Sequence, residues 1–133
     1  MSYSSIRYLR LLTIFLLSIN SAIIMADNAT IDSLSVQQAS TLFSEKNAII
    51  VDVRENNEWQ EQHIPNAIHI PLGELSSRLT ELDAYKNSAI IAQCRSGKRS
   101  LQAAETLKSA GFTKVYNLEG GLNAWQKAGL PTQ

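Results

Sequence analysis

The chain has a single cysteine, Cys94, in 133 residues. That scarcity excludes an intramolecular disulfide framework, a dithiol redox centre and any metal site built from several thiolates. Three prolines and six glycines are too few for collagen-like or low-complexity architecture. Neither charge is in excess, twelve bases against twelve acids, so nothing in the overall balance points to nucleic acid as a partner. There is no internal repeat. What is present is 44% hydrophobic and 18% charged residues in a length that suits one globular domain.

The extended apolar run lies at the amino end. Arg7 and Arg10 precede Leu11 to Ile24, which is interrupted only by Thr13, Ser18, Asn20 and Ser21, and Ala26 offers a small residue for cleavage. This pattern predicts a signal peptide over residues 1–26, or an uncleaved membrane anchor because Ile24 is large for a cleavage site. Residues 27–133 are then a single domain, exported, and periplasmic if the organism is bacterial. The membrane enters as a partner only if the segment stays uncleaved. Removing it leaves ten bases against twelve acids, so the cationic cluster Cys94-Arg95-Ser96-Gly97-Lys98-Arg99 stands against a mildly acidic background.

Short apolar runs alternate with helical patterns through the remainder. Ser35 caps a helix over Val36–Phe43, and Ala48–Val53 reads as a strand covered on both faces. Glu55–Gln62 predicts a short helix, Ala67–Ile70 a strand, and Leu75, Leu79 and Leu82 one further helix. Ala89–Gln93 is a strand whose carboxyl end delivers Cys94. A helix from about Ser100 to Ala110 presents Leu101, Ala104 and Leu107 on one face, with Gly111 closing it. Lys114–Leu118 and Gly121–Ala128 supply a last strand and helix. The alternation predicts an α/β fold with a mostly parallel sheet, in which ligands bind beyond the carboxyl ends of strands.

Cys94 falls at such an end. Gly97 permits close backbone approach, and the free N–H groups at the start of the following helix favour an anion. Arg95, Lys98 and Arg99 add positive charge, so the thiol pKa is expected to fall. An inert core thiol would not need such a loop.

These residues resemble the rhodanese-like sulfurtransferases from about Ser35 to Pro131. The resemblance is carried by Val51-Asp52-Val53-Arg54-Glu55 with Glu58-Trp59, and by His63-Ile64-Pro65-Asn66-Ala67. It continues in Cys94-Arg95-Ser96-Gly97-Lys98-Arg99-Ser100 and Leu118-Glu119-Gly120-Gly121-Leu122-Asn123-Ala124-Trp125. Gln62 and Asn66 stand where the family commonly has glycine. The resemblance implies a three-layer α/β fold with helices flanking the sheet and a sulfur-transfer cycle without a cofactor. In that cycle Cys94 takes sulfur from a donor such as thiosulfate, carries it as a persulfide and passes it to cyanide or a thiol, including a protein thiol. The amides from Arg95 to Ser100 would cradle the terminal sulfur, with Ser96, Gly97 and Lys98 in the same substrate-binding loop and Arg99 closing it over the donor's oxyanion. A persulfide carrier serving a specific protein acceptor is the alternative.

The same fold resembles that of some phosphatases, which place Arg six positions after the cysteine. Here that position is Ser100, and Arg99 falls five after. A Walker loop is excluded by Ala92 and Arg99 in the places of its first Gly and its Ser or Thr. Asp52 and Arg54 are expected to brace the site as an ion pair, with Arg54 within possible reach of the donor. His63 and His69 are expected to hydrogen-bond structurally, and Trp59 and Trp125 to pack. No clustered ligand set for a metal is visible.

Overall fold

The computed structural model describes residues 30–133, so the expectations for residues 1–26 lie outside the described residues. Five strands form one sheet: β1 (Asp32–Leu34), β2 (Ala48–Asp52), β3 (Ile68–His69), β4 (Ala89–Gln93) and β5 (Lys114–Leu118). Their order is β1-β5-β4-β2-β3, and every pairing is parallel. The helices are α1 (Val36–Ser44), α2 (Asn56–Glu61), α3 (Leu72–Leu75), α4 (Lys98–Ser109) and α5 (Gly121–Lys127), with a 3₁₀ helix at Leu79–Tyr85.

Because both faces of β2 and β4 are covered, their apolar runs are continuous and neighbouring residues serve different cores. Ile50 and Ile91 pack with Val36 and Ala39 of α1 and Leu122 and Trp125 of α5. Val51, Ile90 and Ala92 pack with Leu75, Leu82, Ala103, Ala104 and Leu107 on the other face. The result is the expected three-layer α/β architecture. Its register, Ala48 opposite Ala89 through Asp52 opposite Gln93, brings β2 and β4 to an end side by side. Cys94 therefore leaves the sheet at its carboxyl edge, 1% exposed.

The structure differs from the sequence expectation in four elements. Strand β1 was not foreseen; only three residues long and mostly exposed, it is defined by its pairing with β5. The leucines at 75, 79 and 82 do not share a helix. Leu75 ends α3, while Leu79, Leu82 and Tyr85 recur every three residues, which is the period that aligns side chains on a 3₁₀ helix. Helix α4 starts at Lys98, two residues early, because Gly97 at φ +98° turns the chain into it directly. Leu101 is 40% exposed, while Ala104 and Leu107 are buried as expected and Ser100 and Ala103 complete that face.

Candidate active site

The loop joining β4 to α4 wraps its backbone around one sulfur atom. The Gly97 N–H donates to Cys94 Sγ at 3.1 Å, and the Ser100 hydroxyl lies 3.3 Å from the same atom. Burial pushes the thiol pKa up. The Ser100 hydroxyl and the amides of Ser100, Ser96 and Gly97 outweigh it, so the pKa lies below its ordinary value. The direction and the part played by the amides agree with the sequence expectation; the Ser100 hydroxyl, the largest lowering influence, was not foreseen.

The loop is shaped from outside by β5 and α5. Asn117 Nδ2 donates to the Gly97 carbonyl at 3.0 Å, while its Oδ1 accepts from the Ser100 hydroxyl at 2.6 Å. The N–H groups of Leu122 and Asn123 donate to the carbonyls of Cys94 and Arg95 at 2.8 and 3.0 Å. Gln93 Nε2 adds a second donor to the Cys94 carbonyl at 2.8 Å. With these carbonyls held by outside donors, loop N–H groups are left to serve the sulfur. Gly121 is required for this approach: a Cβ there would stand 2.5 Å from the Cys94 oxygen, at φ +55°.

Two of the three loop cations are engaged by a carboxylate. Glu58, on α2, takes Arg99 in a two-pronged pair at 2.7 and 2.9 Å and Arg95 at 3.1 Å. The Arg99 guanidinium is the chief reason that the Glu58 carboxyl is lowered from 4.5 to about 2, against the opposing effect of burial; the Glu55 N–H and Arg95 add to the lowering. Arg99 accordingly leans on Glu58 while its side chain stays 34% exposed. Lys98 is exposed and pairs with no carboxylate among the described residues. Ser100 is fully buried, with its hydroxyl beside the sulfur.

Asp52 and Arg54 form a buried pair at 2.7 Å, 0% and 2% exposed in their side chains. Arg54 also donates to the backbone carbonyls of Glu58 at 3.2 Å and Gln62 at 2.8 Å. Its guanidinium thereby braces α2, as the ion-pair expectation had it. The ring of Trp59 is stacked between His63 and His69, at centroid distances of 3.7 and 4.6 Å. Each imidazole also hydrogen-bonds a carbonyl, that of Trp59 or Arg54. Asn66, at φ +67°, occupies the left-handed conformation that asparagine tolerates better than most residues in place of glycine. Gln62 is extended at φ −168° and needs no glycine.

Glu58, Asn117 and Gln93 are the contributors to which the sequence assigned no role. A separate concavity of about 480 Å³, lined by Phe43, Ile64, Pro65 and Trp125 among others, reaches the start of β2 and contains none of the loop residues. It lies toward the end of the sheet opposite Cys94.

Residues 35–128 match the model of the Rhodanese-like domain. YrkF of Bacillus subtilis, named for sulfur carriage, is 45% identical over 82 residues, or 62% of this chain. A sulfurtransferase of Allochromatium vinosum is 37% identical over 107 residues, covering 80% of this chain and 94% of that protein. The thiosulfate sulfurtransferase GlpE of Coxiella burnetii is 33% identical over 99 residues, covering 74% and 90%. This chain spans 43% of the length of YrkF and 56% of an uncharacterized Synechocystis relative. The crystal structure of a rhodanese-related protein from Thermoplasma volcanium superposes with a TM-score of 0.70 at 28% identity, covering 77% of this chain and 97% of that one. On its sequence, its fold and its cysteine loop, the chain belongs to the rhodanese-like sulfurtransferase family.

Proposed function

We propose that the protein moves sulfane sulfur from thiosulfate to a thiophilic acceptor through a persulfide on Cys94. The observation that carries this reading is the buried Sγ, held among backbone N–H groups and the Ser100 hydroxyl, with a pKa below the ordinary thiol value. In the first half-reaction the Cys94 thiolate attacks the outer sulfur of thiosulfate. A new S–S bond forms, the bond to the sulfonate sulfur breaks, and its electron pair departs with sulfite. In the second, cyanide or a thiolate attacks the outer sulfur, leaving as thiocyanate or a new persulfide and restoring the Cys94 thiolate. Neither half needs a cofactor. The N–H groups that hold the thiolate are placed to hold the terminal persulfide sulfur as well.

The test is to incubate the protein with thiosulfate and weigh it. A gain of about 32 Da on Cys94, lost with thiocyanate release when cyanide is added, is the expected result. Cys94→Ser should fold normally and form neither product, whereas full activity in that variant would refute the mechanism.

A second reading, a carrier that delivers sulfur to a particular protein thiol, is favoured by two observations. One is the likeness to YrkF. The other is the engagement of Arg95 and Arg99 by Glu58, which reduces the free positive charge available to a dianion. Slow turnover with cyanide beside rapid transfer to a partner protein would decide for the carrier. The proposed site of action is outside the cytoplasm, on the pattern of residues 1–26. A mature protein starting near Asp27 is the expected product of export, and an intact chain released only by detergent would instead establish the anchor.

A further inference from the structure

We infer that Glu58 is a specificity determinant: a built-in counter-anion for the loop cations that biases the site against doubly charged sulfur donors and toward singly charged or neutral ones. The inference rests on the sulfur-transfer reading for its biological meaning. Its physical basis is the geometry of one carboxylate. Both oxygens of Glu58 are engaged, Oε1 by Arg95 at 3.1 Å and Arg99 at 2.9 Å, and Oε2 by Arg99 at 2.7 Å. Oε2 also accepts the Glu55 N–H at 3.0 Å in a capping box, and Arg54 holds the Glu58 carbonyl. The carboxylate is thus anchored from its own helix as well as from the loop, and is 13% exposed. The guanidinium side chains it holds remain 52% and 34% exposed for Arg95 and Arg99, so an arriving anion can reach them. Such an anion must share them with a charge that cannot readily leave.

Ionised, the site sets three cations, Arg95, Lys98 and Arg99, against Glu58 and the Cys94 thiolate, with Glu55 also acting on Arg99 from the start of α2. Removing the Glu58 charge makes the loop's surroundings more positive by one unit charge. The energy of an anion in a given potential scales with its own charge, so a dianion gains twice what a monoanion gains. This scaling separates a counter-anion from a mere brace for Arg95 and Arg99, which would affect both donors alike.

The experiment uses Glu58→Gln, since glutamine can retain the capping-box acceptor. Thiosulfate is compared with methanethiosulfonate, a monoanion that transfers the same outer sulfur and releases methanesulfinate in place of sulfite. At low ionic strength kcat/KM should rise roughly tenfold for thiosulfate and roughly threefold for methanethiosulfonate, and both gains should shrink with added salt. Independently of sulfur transfer, the rate ratio of Cys94 alkylation by anionic iodoacetate over neutral iodoacetamide should rise about threefold. Glu58→Asp, which keeps the charge, should leave that alkylation ratio unchanged. Glu58→Ala is read by the same ratios if the glutamine variant does not fold. Equal losses with both donors, or an unchanged alkylation ratio in the uncharged variants, would overturn the inference. If neither donor loads Cys94 in the unmodified protein, the sulfur-transfer reading fails and the alkylation ratio alone decides the role of Glu58.

Discussion

The Ser100 hydroxyl stands between two acceptors, 3.3 Å from Cys94 Sγ and 2.6 Å from Asn117 Oδ1, and it has one proton to give. The Asn117 amide cannot turn away, because its Nδ2 is held by the Gly97 carbonyl. With a neutral thiol the proton belongs to Asn117, the nearer oxygen. Ionisation of Cys94 makes the sulfur the stronger acceptor and draws the proton across, so the hydroxyl stabilises the charged form selectively.

Ser100→Ala should therefore raise the Cys94 pKa. Alkylation by neutral iodoacetamide climbs with pH to a plateau as the thiolate forms, at lower pH in the unmodified protein than for an ordinary thiol. In the variant the midpoint moves up and the rate at pH 7 falls roughly three- to tenfold. An unmoved midpoint would assign the lowered pKa to the loop amides alone.

Gly121→Ala tests the contact between α5 and the loop. A methyl group there would meet the Cys94 oxygen at 2.5 Å and the Arg95 carbonyl atoms at 2.6 Å, all of them backbone and none able to swing aside. Urea unfolding should show a loss of about 2 kcal/mol or more, from overlap and from the left-handed backbone together. Sulfur transfer should fall further than the stability loss explains, because the loop carbonyls lose their donors.

Asp52→Ala should cost about 3–5 kcal/mol, since it leaves the Arg54 guanidinium buried without its counter-charge. Replacing both partners by apolar residues should cost less than the single change, as measured by chemical denaturation of the two variants side by side.

Acid should expose the Glu58 pairing directly. Its folded-state pKa, about 2, lies below the ordinary 4.5, so the stabilisation is complete well above pH 4.5 and is lost as pH falls from there toward 2. The guanidiniums are solvent-exposed, which limits the contribution to about 1 kcal/mol. Glu58→Gln should be less stable by that amount at pH 7, with the difference shrinking as pH falls below 4.5 and vanishing only below pH 2, read from thermal unfolding across the range.

The parts of the site that were legible in the sequence are those contiguous in it. Cys94, Gly97 and the three cations fall within six residues, and the apolar run Ala89–Gln93 fixes the strand that delivers them. Glu58 and Asn117 were hidden for the opposite reason: they join the loop only because α2 packs beside it and β5 pairs with β4. Arg99 charge assigned to the thiol from sequence proximity is thus shared, the larger part going to Glu58 and a smaller part to Cys94. Among the elements, α1 announced itself through Ser35, whose cap the structure completes reciprocally with Gln38. Asp32-Ser33-Leu34 carries no strand pattern of its own and extends only because β5 offers it an edge.

That edge has a kinetic consequence. The first strand of the sheet is completed by the last one, in register from Asp32 beside Tyr116 to Leu34 beside Leu118. No shorter stretch of chain can make this contact, and closing so long a loop carries its entropy cost before any pairing energy returns. During synthesis β1 must wait, unpaired, until β5 has emerged, while β2 and β4 are already able to meet. The outer edge is thus expected to be the final piece of the sheet to assemble and the first to exchange its amide hydrogens.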